Sequence, residues 1–252
     1  MILILDIGNT HTHLGLAGPE RVRKQKNIRT AAWRDGTAER ELAAFVGRAS
    51  VDAVALASVV PRVTPHVRRA VKKRWQLPCL ELDCKTVCGI GVDYPHPHTI
   101  GADRLANAVA VRHHHGAPAV VVDFGTAVTF DVVDRSGNYA GGIIAPGLAA
   151  MTEYLHEKTA LLPQIKIREV KQIIGKNTEQ AMLIGAVHGY RGLIRELIAR
   201  LKIELGARRL PVVATGGYAA LMAAKLPEIT AVEPLLTLEG LRLVAVANKL
   251  AT

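Results

Sequence analysis

Aromatic residues are scarce in this chain, which has three Phe, two Trp and five Tyr among 252 residues. A surface that stacks nucleic-acid bases uses aromatic side chains interleaved with basic ones, and the chain has no such stretch. Its abundant Ala, Val, Leu and Ile favour covered strands packed against helices. The composition therefore predicts an α/β fold and argues against an all-β sandwich.

Cysteine is also rare. Cys79, Cys84 and Cys88 are an odd number clustered in one segment, which argues against a disulfide framework. Zinc binding by Cys84 and Cys88 stays open, although no second pair with matching spacing is present. Reduced structural cysteines are the interpretation that we prefer.

Long apolar runs are missing as well. No stretch of about 18 uncharged apolar residues occurs, which argues against a membrane span. The first five residues are apolar but end at Asp6 and lack the basic flank of a secretion signal. At 49% hydrophobic residues the chain can bury a substantial core. We expect a cytoplasmic protein without a membrane segment.

Acidic residues are outnumbered, which gives a formal net charge of +10 and an isoelectric point near 9.8. The segments 21–26 and 68–74 are locally basic, so polyanions would be attracted. No recognised nucleic-acid-binding signature is present. We therefore favour a solvated basic surface, aided by anionic substrates, over nucleic-acid binding.

Two nucleotide-binding loops are absent, namely Gly-x-x-x-x-Gly-Lys-Ser/Thr and Gly-x-Gly-x-x-Gly after a strand, which excludes P-loop and Rossmann interpretations. Two acidic turns are present instead. Asp6–Thr10 and Asp123–Ala127 each follow an apolar, strand-like run. Glycine lets the backbone approach a phosphate, Asn or Thr can bond its oxygens, and Asp can hold a cation. One such turn could be only a turn, but two in equivalent settings indicate a phosphotransferase.

The pattern of elements repeats along the chain. Strand, strand, strand, helix, strand, helix is predicted from Ile2, and the same order restarts at Ala117, with one long helix expected over 177–205. We predict two domains, 1–116 and 117–252. This duplication resembles the actin, hexokinase and Hsp70 superfamily, which implies two ribonuclease-H-like domains in tandem with nucleotide in the cleft between them. The turn at Thr215-Gly216-Gly217 would then lie near the adenosine.

Six motifs narrow the resemblance to one family. In order and over nearly the full length, the chain is similar to type III pantothenate kinases at Asp6–Thr10, Ile100-Gly101-Ala102-Asp103-Arg104, Asp123–Ala127, Gly141–Leu148, Gly175-Lys176-Asn177-Thr178 and Thr215-Gly216-Gly217. The resemblance implies transfer of the ATP γ-phosphate to the primary hydroxyl of pantothenate, the first step of coenzyme A synthesis.

The resemblance also assigns roles on the acceptor side. Asp103 matches the proposed base that accepts the hydroxyl proton, and Arg104 could bind the pantothenate carboxylate. The alternative for this pair is an exposed helix start, where aspartate is common. Further implied substrate contacts are Tyr94, Gly101, Ala102 and Thr178. The counterpart of Thr178 comes from the partner subunit, so a homodimer with interfacial active sites is implied.

On the ATP side, the resemblance implies that Asp6 organises Mg²⁺ through water. The residues implied along the triphosphate path and at the nucleotide are Ile7, Gly8, Asn9, Thr10, His11, Thr12, His13, Thr126, Gly216 and Gly217. Asp123 matches the ligand of an activating monovalent cation, K⁺ or NH₄⁺; a second carboxylate for Mg²⁺ is the competing interpretation.

Some residues depart from the family pattern. His13 stands where Lys or Val is common, and His96-Pro97 where many members have Asn-Pro. A metal site at His11 and His13, or at His96 and His98, stays conceivable, while 113–115 is interpreted as a helix cap. Two functional alternatives stay open: a kinase for another small alcohol, and a non-catalytic accessory or regulatory protein.

Overall fold

The computed structural model describes residues 1–250 of the chain. Within this range, eleven strands form two sheets and helices alternate with the strands along the chain, which confirms the predicted α/β class. The strands are β1 Ile2–Ile7, β2 His11–Ala17, β3 Val22–Arg29, β4 Ala53–Ser58, β5 Cys79–Glu81, β6 Gly91–Val92, β7 Ala119–Phe124, β8 Ala127–Val133, β9 Asn138–Pro146, β10 Val212–Thr215 and β11 Ala231–Val232.

Eight α-helices connect or cover these strands. They are α1 Thr37–Val46, α2 Thr64–Trp75, α3 Ala102–His115, α4 Leu148–Lys158, α5 Thr178–Ile184, α6 Tyr190–Glu204, α7 Ala219–Ala223 and α8 Leu236–Ala247. Short 3₁₀ helices cover Thr30–Trp33 and Pro97–Thr99, and a π-helical turn covers Gly185–Gly189.

By its internal contacts the chain divides into two compact units. The first comprises 1–116, 137–140 and the chain from Leu235 onward; the second comprises 117–136 and 141–234. The sequence-based division placed everything after 116 in the second domain. The structure groups the C-terminal helix with the first unit because α8 packs on α3 and on the sheet of that unit.

The first unit has a five-stranded sheet in the order β3-β2-β1-β4-β5. β1 runs antiparallel to β2 and parallel to β4. All six residues of β1 are buried, as expected for a central strand covered on both faces. One face packs against α1 and α2 through a core that includes Leu42, Phe45, Val67 and Val71.

Helix α3 is fixed to α8 by an unusually close approach. A Cβ atom at Gly240 would overlap the backbone of Ala106, so only glycine permits this spacing. Nearby, the Thr237 hydroxyl donates to Asn107 Oδ1 at 2.8 Å. The result is that the helix carrying Asp103 and Arg104 has a rigid support within its own unit.

The second unit repeats the strand order of the first. The second sheet has six strands in the order β11-β10-β7-β8-β9-β6, with β8 antiparallel and β10 parallel to β7. When β6 is set aside, the strands numbered from β7 lie in the order 3-2-1-4-5, which is also the order of the first sheet. The alternate residues Val120, Val122 and Phe124 of β7 enter the core beneath α6 and α7.

The predicted helix over 177–205 is observed as α5, the π-helical turn and α6 in succession. Gly185 and Gly189 bound the turn, and such turns insert an extra residue into an otherwise α-helical path. The irregular segment before α5 is tied down by Arg191, which is buried and donates two hydrogen bonds to Glu169, at 3.0 and 2.7 Å, and one to Leu221 O at 2.6 Å.

Within residues 1–250 no helix combines the length and apolarity needed to cross a bilayer. Cys79, Cys84 and Cys88 are free thiols, and the pKa of Cys79 is raised to about 11 because burial disfavours its thiolate.

Candidate active site

The first acidic turn lies at the end of β1. Asp6 is 9% exposed, and Asn9 and Thr10 are exposed at the tip of the turn. The turn is closed by the Gly8 N–H, which donates to His11 O at 3.0 Å. A Cβ at Gly8 would also lie 3.0 Å from that oxygen, so a larger residue would crowd the turn. The arrangement presents a polar, compact tip to a ligand.

The side chains predicted to line the triphosphate path differ in direction. Ile7 and Thr12 are fully buried, so any contact they make with ATP would use backbone atoms. His11 is exposed and His13 is half-buried, with ring centroids 6.5 Å apart. Asn9 and Thr10 present their side chains at the surface, which makes them the better candidates for phosphate contacts.

His13 lies directly opposite Asp6 in the β1–β2 pairing. Its Nδ1 lies 2.8 Å from Asn27 Oδ1 on β3. Since the amide oxygen only accepts, this bond requires the proton on Nδ1. Burial lowers the pKa of His13, opposed by the Asn27 bond and reinforced by His11. A neutral imidazole at neutral pH does not supply the positive charge of a lysine.

Asp103 lies in the first turn of α3, after the N-cap Gly101. Its Oδ1 accepts from the Arg104 N–H at 2.8 Å. Burial raises the pKa of Asp103, and the hydrogen bond and charge of Arg104 only partly oppose that rise. A Cβ at Gly101 would come within 2.5 Å of Asp103 Oδ1, so glycine leaves the space that this carboxylate occupies. A half-buried carboxylate of raised pKa suits a general base.

Two residues predicted to contact substrate meet on Tyr139. The Arg104 guanidinium carbon lies 5.8 Å from the Tyr139 ring centroid, and the Tyr94 ring lies 6.1 Å from it at an angle of 59°. β6 pairs with Asn138 and Tyr139, and the Asp93 N–H donates to Tyr139 O at 3.0 Å. Backbone pairing therefore places Tyr94 and Arg104 around one buried aromatic ring.

The sequence interpretation missed Tyr139 and Asn27. Tyr139 lies outside every motif, and only the β6–β9 pairing brings it to Arg104. Asn27 follows from the strand register, because His13 faces Asn27 across β2 and β3. That register depends on the hairpin between β2 and β3, whose turn contains Gly18 and Pro19.

Two segments of the chain pack against the second acidic turn. Gly147 donates its N–H to Thr126 O at 3.1 Å, and a Cβ at Gly147 would overlap that carbonyl group. Gly216 has φ +88°, and a Cβ there would come within 2.5 Å of Asp123 Oδ1. Thr215 also pairs directly with Asp123 between β10 and β7. The predicted residues Asp123, Thr126 and Gly216 are therefore brought together.

Thr178 opens helix α5 and is exposed. The preceding Asn177 caps the helix, with Oδ1 accepting from the Gln180 N–H at 2.9 Å. Gly175 is required by close approach, since a Cβ would lie 2.5 Å from Ala181 N. The motif Gly175–Thr178 is thus a helix start whose first side chain faces solvent.

The donor groups fit a magnesium ion that arrives with ATP. Among residues 1–250 no group of three or more His, Cys, Asp or Glu side chains could hold a metal by itself. Mg²⁺ keeps several waters and is commonly bound by one or two carboxylates and by substrate phosphates. Asp6, beside an exposed polar turn, matches that requirement.

Comparison with other proteins gives a consistent result. Residues 2–200 match the family described as type III pantothenate kinase. A protein of that name from Akkermansia muciniphila is 48% identical over 246 residues, covering 98% of each chain. Another from Methylacidiphilum infernorum is 43% identical over 244 residues, covering 96% of this chain and 87% of that one.

Solved structures agree on the fold. A protein conjectured to be a Baf family transcriptional activator, from Campylobacter jejuni, aligns with TM-score 0.62 at 19% identity over 98% of each chain. MreB 5 of Spiroplasma citri aligns with TM-score 0.54 at 11% identity over 98% of this chain and 96% of that one. At such low sequence identity these alignments inform on the fold alone. They confirm the predicted actin-like fold class. With matching sequence over nearly its full length, the chain belongs to the type III pantothenate kinase family.

Proposed function

We propose that the protein phosphorylates pantothenate with ATP and a divalent cation, forming 4′-phosphopantothenate for coenzyme A synthesis. The observation that carries the proposal is the half-buried Asp103 carboxylate beside Arg104, at the start of a firmly supported helix, in a member of this family. We propose the cytoplasm as the compartment of the protein, because its substrate ATP is available there.

Asp103 acts as the general base in this proposal. The primary hydroxyl oxygen of pantothenate attacks the γ-phosphorus, the bond from that phosphorus to the β–γ bridging oxygen breaks, and the hydroxyl proton passes to Asp103. The raised pKa of Asp103 improves its match to an alcohol proton. Arg104, placed over Tyr139 beside Tyr94, binds the pantothenate carboxylate.

The two acidic turns hold the nucleotide. Asn9 and Thr10 bond phosphate oxygens, and Asp6 orients the hydrated cation, which neutralises phosphate charge when bound. We propose that Thr126 of the second acidic turn, together with Gly216 and Gly217 after β10, also contacts the nucleotide. Asp123 holds K⁺ or NH₄⁺, supported by the tight packing of Gly216 against its carboxylate.

We also propose a homodimer in which Thr178 completes the acceptor pocket of the partner subunit. Two observations support it: Thr178 is exposed at a capped helix start, and the nearby Ile173 and Ile174 are 71% and 69% exposed. Adjacent exposed isoleucines are apolar surface of the kind that an interface covers.

The first experiment measures ADP release and 4′-phosphopantothenate by mass, with and without pantothenate, for the wild type and Asp103→Asn. Pantothenate-dependent product that is lost in the variant supports the proposal. Turnover stimulated by a different alcohol, or none from a folded protein that binds ATP, contradicts it. Replacing K⁺ with Na⁺ tests the monovalent site, and equal activity in both removes that assignment.

A mixing experiment tests the shared pocket. Asp103→Asn and Thr178→Ala are each expected to be poorly active alone. If the pocket is shared, a mixed dimer carries both lesions in one site and leaves the other intact, so mixing restores activity. No restoration after verified subunit exchange contradicts a shared pocket.

A further inference from the structure

A buried chain of hydrogen bonds lies under the first acidic turn. Trp33, Thr12 and Thr30 are 2%, 0% and 2% exposed. Trp33 Nε1 donates to Thr12 Oγ1 at 3.1 Å, the Thr12 and Thr30 hydroxyls lie 3.1 Å apart, and the Thr30 hydroxyl donates to Gly8 O at 2.7 Å. The chain joins the 3₁₀ helix at Thr30–Trp33 to the turn that begins at Gly8.

The direction of every proton in this chain follows from its two ends. The indole nitrogen can only donate and the Gly8 carbonyl can only accept. Because the single Thr30 proton goes to Gly8 O, the Thr12 hydroxyl must donate to Thr30 Oγ1. The order Trp33, Thr12, Thr30, Gly8 is therefore fixed, and a chain of bonds in one direction strengthens each member.

Thr30 holds the turn at two points. Its hydroxyl engages Gly8 O, and its backbone N–H donates to Thr10 O at 3.0 Å. Both carbonyl oxygens are thereby turned toward the interior of the first unit and kept away from an approaching anion. Asn9 and Thr10 are left exposed at the tip.

We propose that Trp33, Thr12 and Thr30 are positioning residues that hold the Gly8–Thr10 turn in its phosphate-binding shape, an inference that rests on the proposed kinase function. None of the three side chains touches the reacting atoms, since all are buried. Holding a turn in its bound shape lowers the entropic cost of binding. Nucleotide affinity, rather than acceptor affinity, is the quantity that these residues set.

The fixed direction of these hydrogen bonds predicts a ranking of variants by their loss of nucleotide affinity. Thr30→Val leaves both the Gly8 carbonyl and the Thr12 hydroxyl proton without partners. Thr12→Val leaves one buried indole N–H, while Thr30 still donates to Gly8 O. Trp33→Phe removes a donor and strands no proton, so it is the mildest change.

The experiment measures KM for ATP and for pantothenate, and binding of a nonhydrolysable ATP analogue with Mg²⁺ by calorimetry. We expect Thr30→Val to weaken nucleotide binding by about tenfold or more, because two buried groups are left unpaired. Thr12→Val should have a smaller effect and Trp33→Phe the smallest, with KM for pantothenate unchanged. Thr30→Ser restores the hydroxyl and should restore affinity. Thr64→Val is the matched control, because Thr64 is a buried threonine of the same unit whose hydroxyl meets Ser58 instead.

The outcomes separate this inference from the proposed function. Nucleotide binding that weakens in the ranked order supports the positioning role of Trp33, Thr12 and Thr30. It does so even if the wild type phosphorylates no pantothenate, a result that would contradict the kinase proposal alone. An active wild type whose variants keep normal nucleotide affinity overturns the positioning role. So does an equal rise in both KM values, or failure of Thr30→Ser to rescue. If Thr30→Val does not fold, Thr12→Val supplies the test: weaker nucleotide binding than in Thr30→Ser and Trp33→Phe supports the inference, and equal binding in all three overturns it.

Discussion

Asp103 is the residue whose environment makes the clearest prediction about pH. Burial raises its pKa above the ordinary aspartate value of about 3.9. A protonated carboxyl cannot accept the hydroxyl proton, so kcat/KM should fall as the pH drops through this raised pKa. The acidic limb of the pH–rate profile should lie above that of a solvent-exposed aspartate. A profile flat down to the ordinary aspartate range would contradict the assignment.

Asp103→Asn should separate activity from stability. We expect a loss of about 10²–10⁴-fold in kcat, the usual contribution of a general base. A raised pKa means that the folded state disfavours the ionised carboxylate, so the neutral amide should leave thermal stability at neutral pH equal or higher. Kinetics and thermal unfolding on the same preparation check both. A destabilised variant would show that Asp103 serves the fold instead.

Gly216 makes a prediction about the second acidic turn. Gly216→Ala combines a positive φ with a Cβ only 2.5 Å from Asp123 Oδ1, so the carboxylate must move. Stimulation of activity by K⁺ should weaken, measured as a higher K⁺ concentration at half-maximal rate. Gly36→Ala is the control, since its φ of +77° is similar and its Cβ would meet no atom within 4 Å. If both variants raise the K⁺ concentration at half-maximal rate equally, backbone strain alone explains the change and the assignment of Asp123 loses this support.

At the residue level, the sequence predicts which side chains lie together when they are neighbours within one short motif. Gly101 to Arg104 and Gly8 to Thr10 are of this kind, because a turn or helix start determines their geometry. The position of Tyr139 and the hydrogen bonds that link Trp33 to Gly8 could not be predicted in this way. They depend on strand pairing and on packing between segments that are separated in sequence. Long-range register was the missing information.

The contact between α3 and α8 makes a prediction at the level of elements. Alanine normally stabilises a helix interior relative to glycine by about 1 kcal/mol. Gly240→Ala should instead destabilise the protein by about 1–3 kcal/mol, the usual cost of overpacking, because its Cβ meets the Ala106 backbone. Chemical denaturation measures the change. Gly192→Ala in α6 is the control, where a Cβ meets no atom within 4 Å and ordinary stabilisation is expected.

Most elements were predictable because apolar periodicity is strong in them. The apolar runs at 53–57 and 119–122, for example, lie within β4 and β7. The long helix over 177–205 was predicted without its π-helical turn, since the apolar pattern of Leu183, Val187 and Tyr190 continues through it. Tertiary packing, which decides the hydrogen-bonding pattern at Gly185–Gly189, leaves no mark on that periodicity.

The whole molecule gives a prediction about fragments. A fragment of residues 1–116 contains every strand of the first sheet but lacks α8. Without α8, buried Leu105 and Ala106 of α3 lose their cover. We expect this fragment to lack a cooperative thermal transition, as followed by circular dichroism. A sharp transition from 1–116 alone would show that α8 is dispensable for folding of that unit.

The division of the chain into two units could be predicted except for the placement of α8 and of residues 137–140. The repeated order of strands indicates where the second series begins, at Ala117, because each series restarts with a buried strand. It does not indicate where the last helix packs. A close approach of Gly240 to Ala106 is a contact across more than half the chain, and no local pattern announces it.

The grouping of α8 with the first unit has a consequence for synthesis on the ribosome. The five strands of the first sheet emerge early, yet the helix that covers α3 is translated only after the whole of the second unit. At about 5–20 residues per second, these strands wait roughly 8–30 seconds for their final cover. The second unit is continuous enough to mature first, so the half of the protein that is made first is the half completed last.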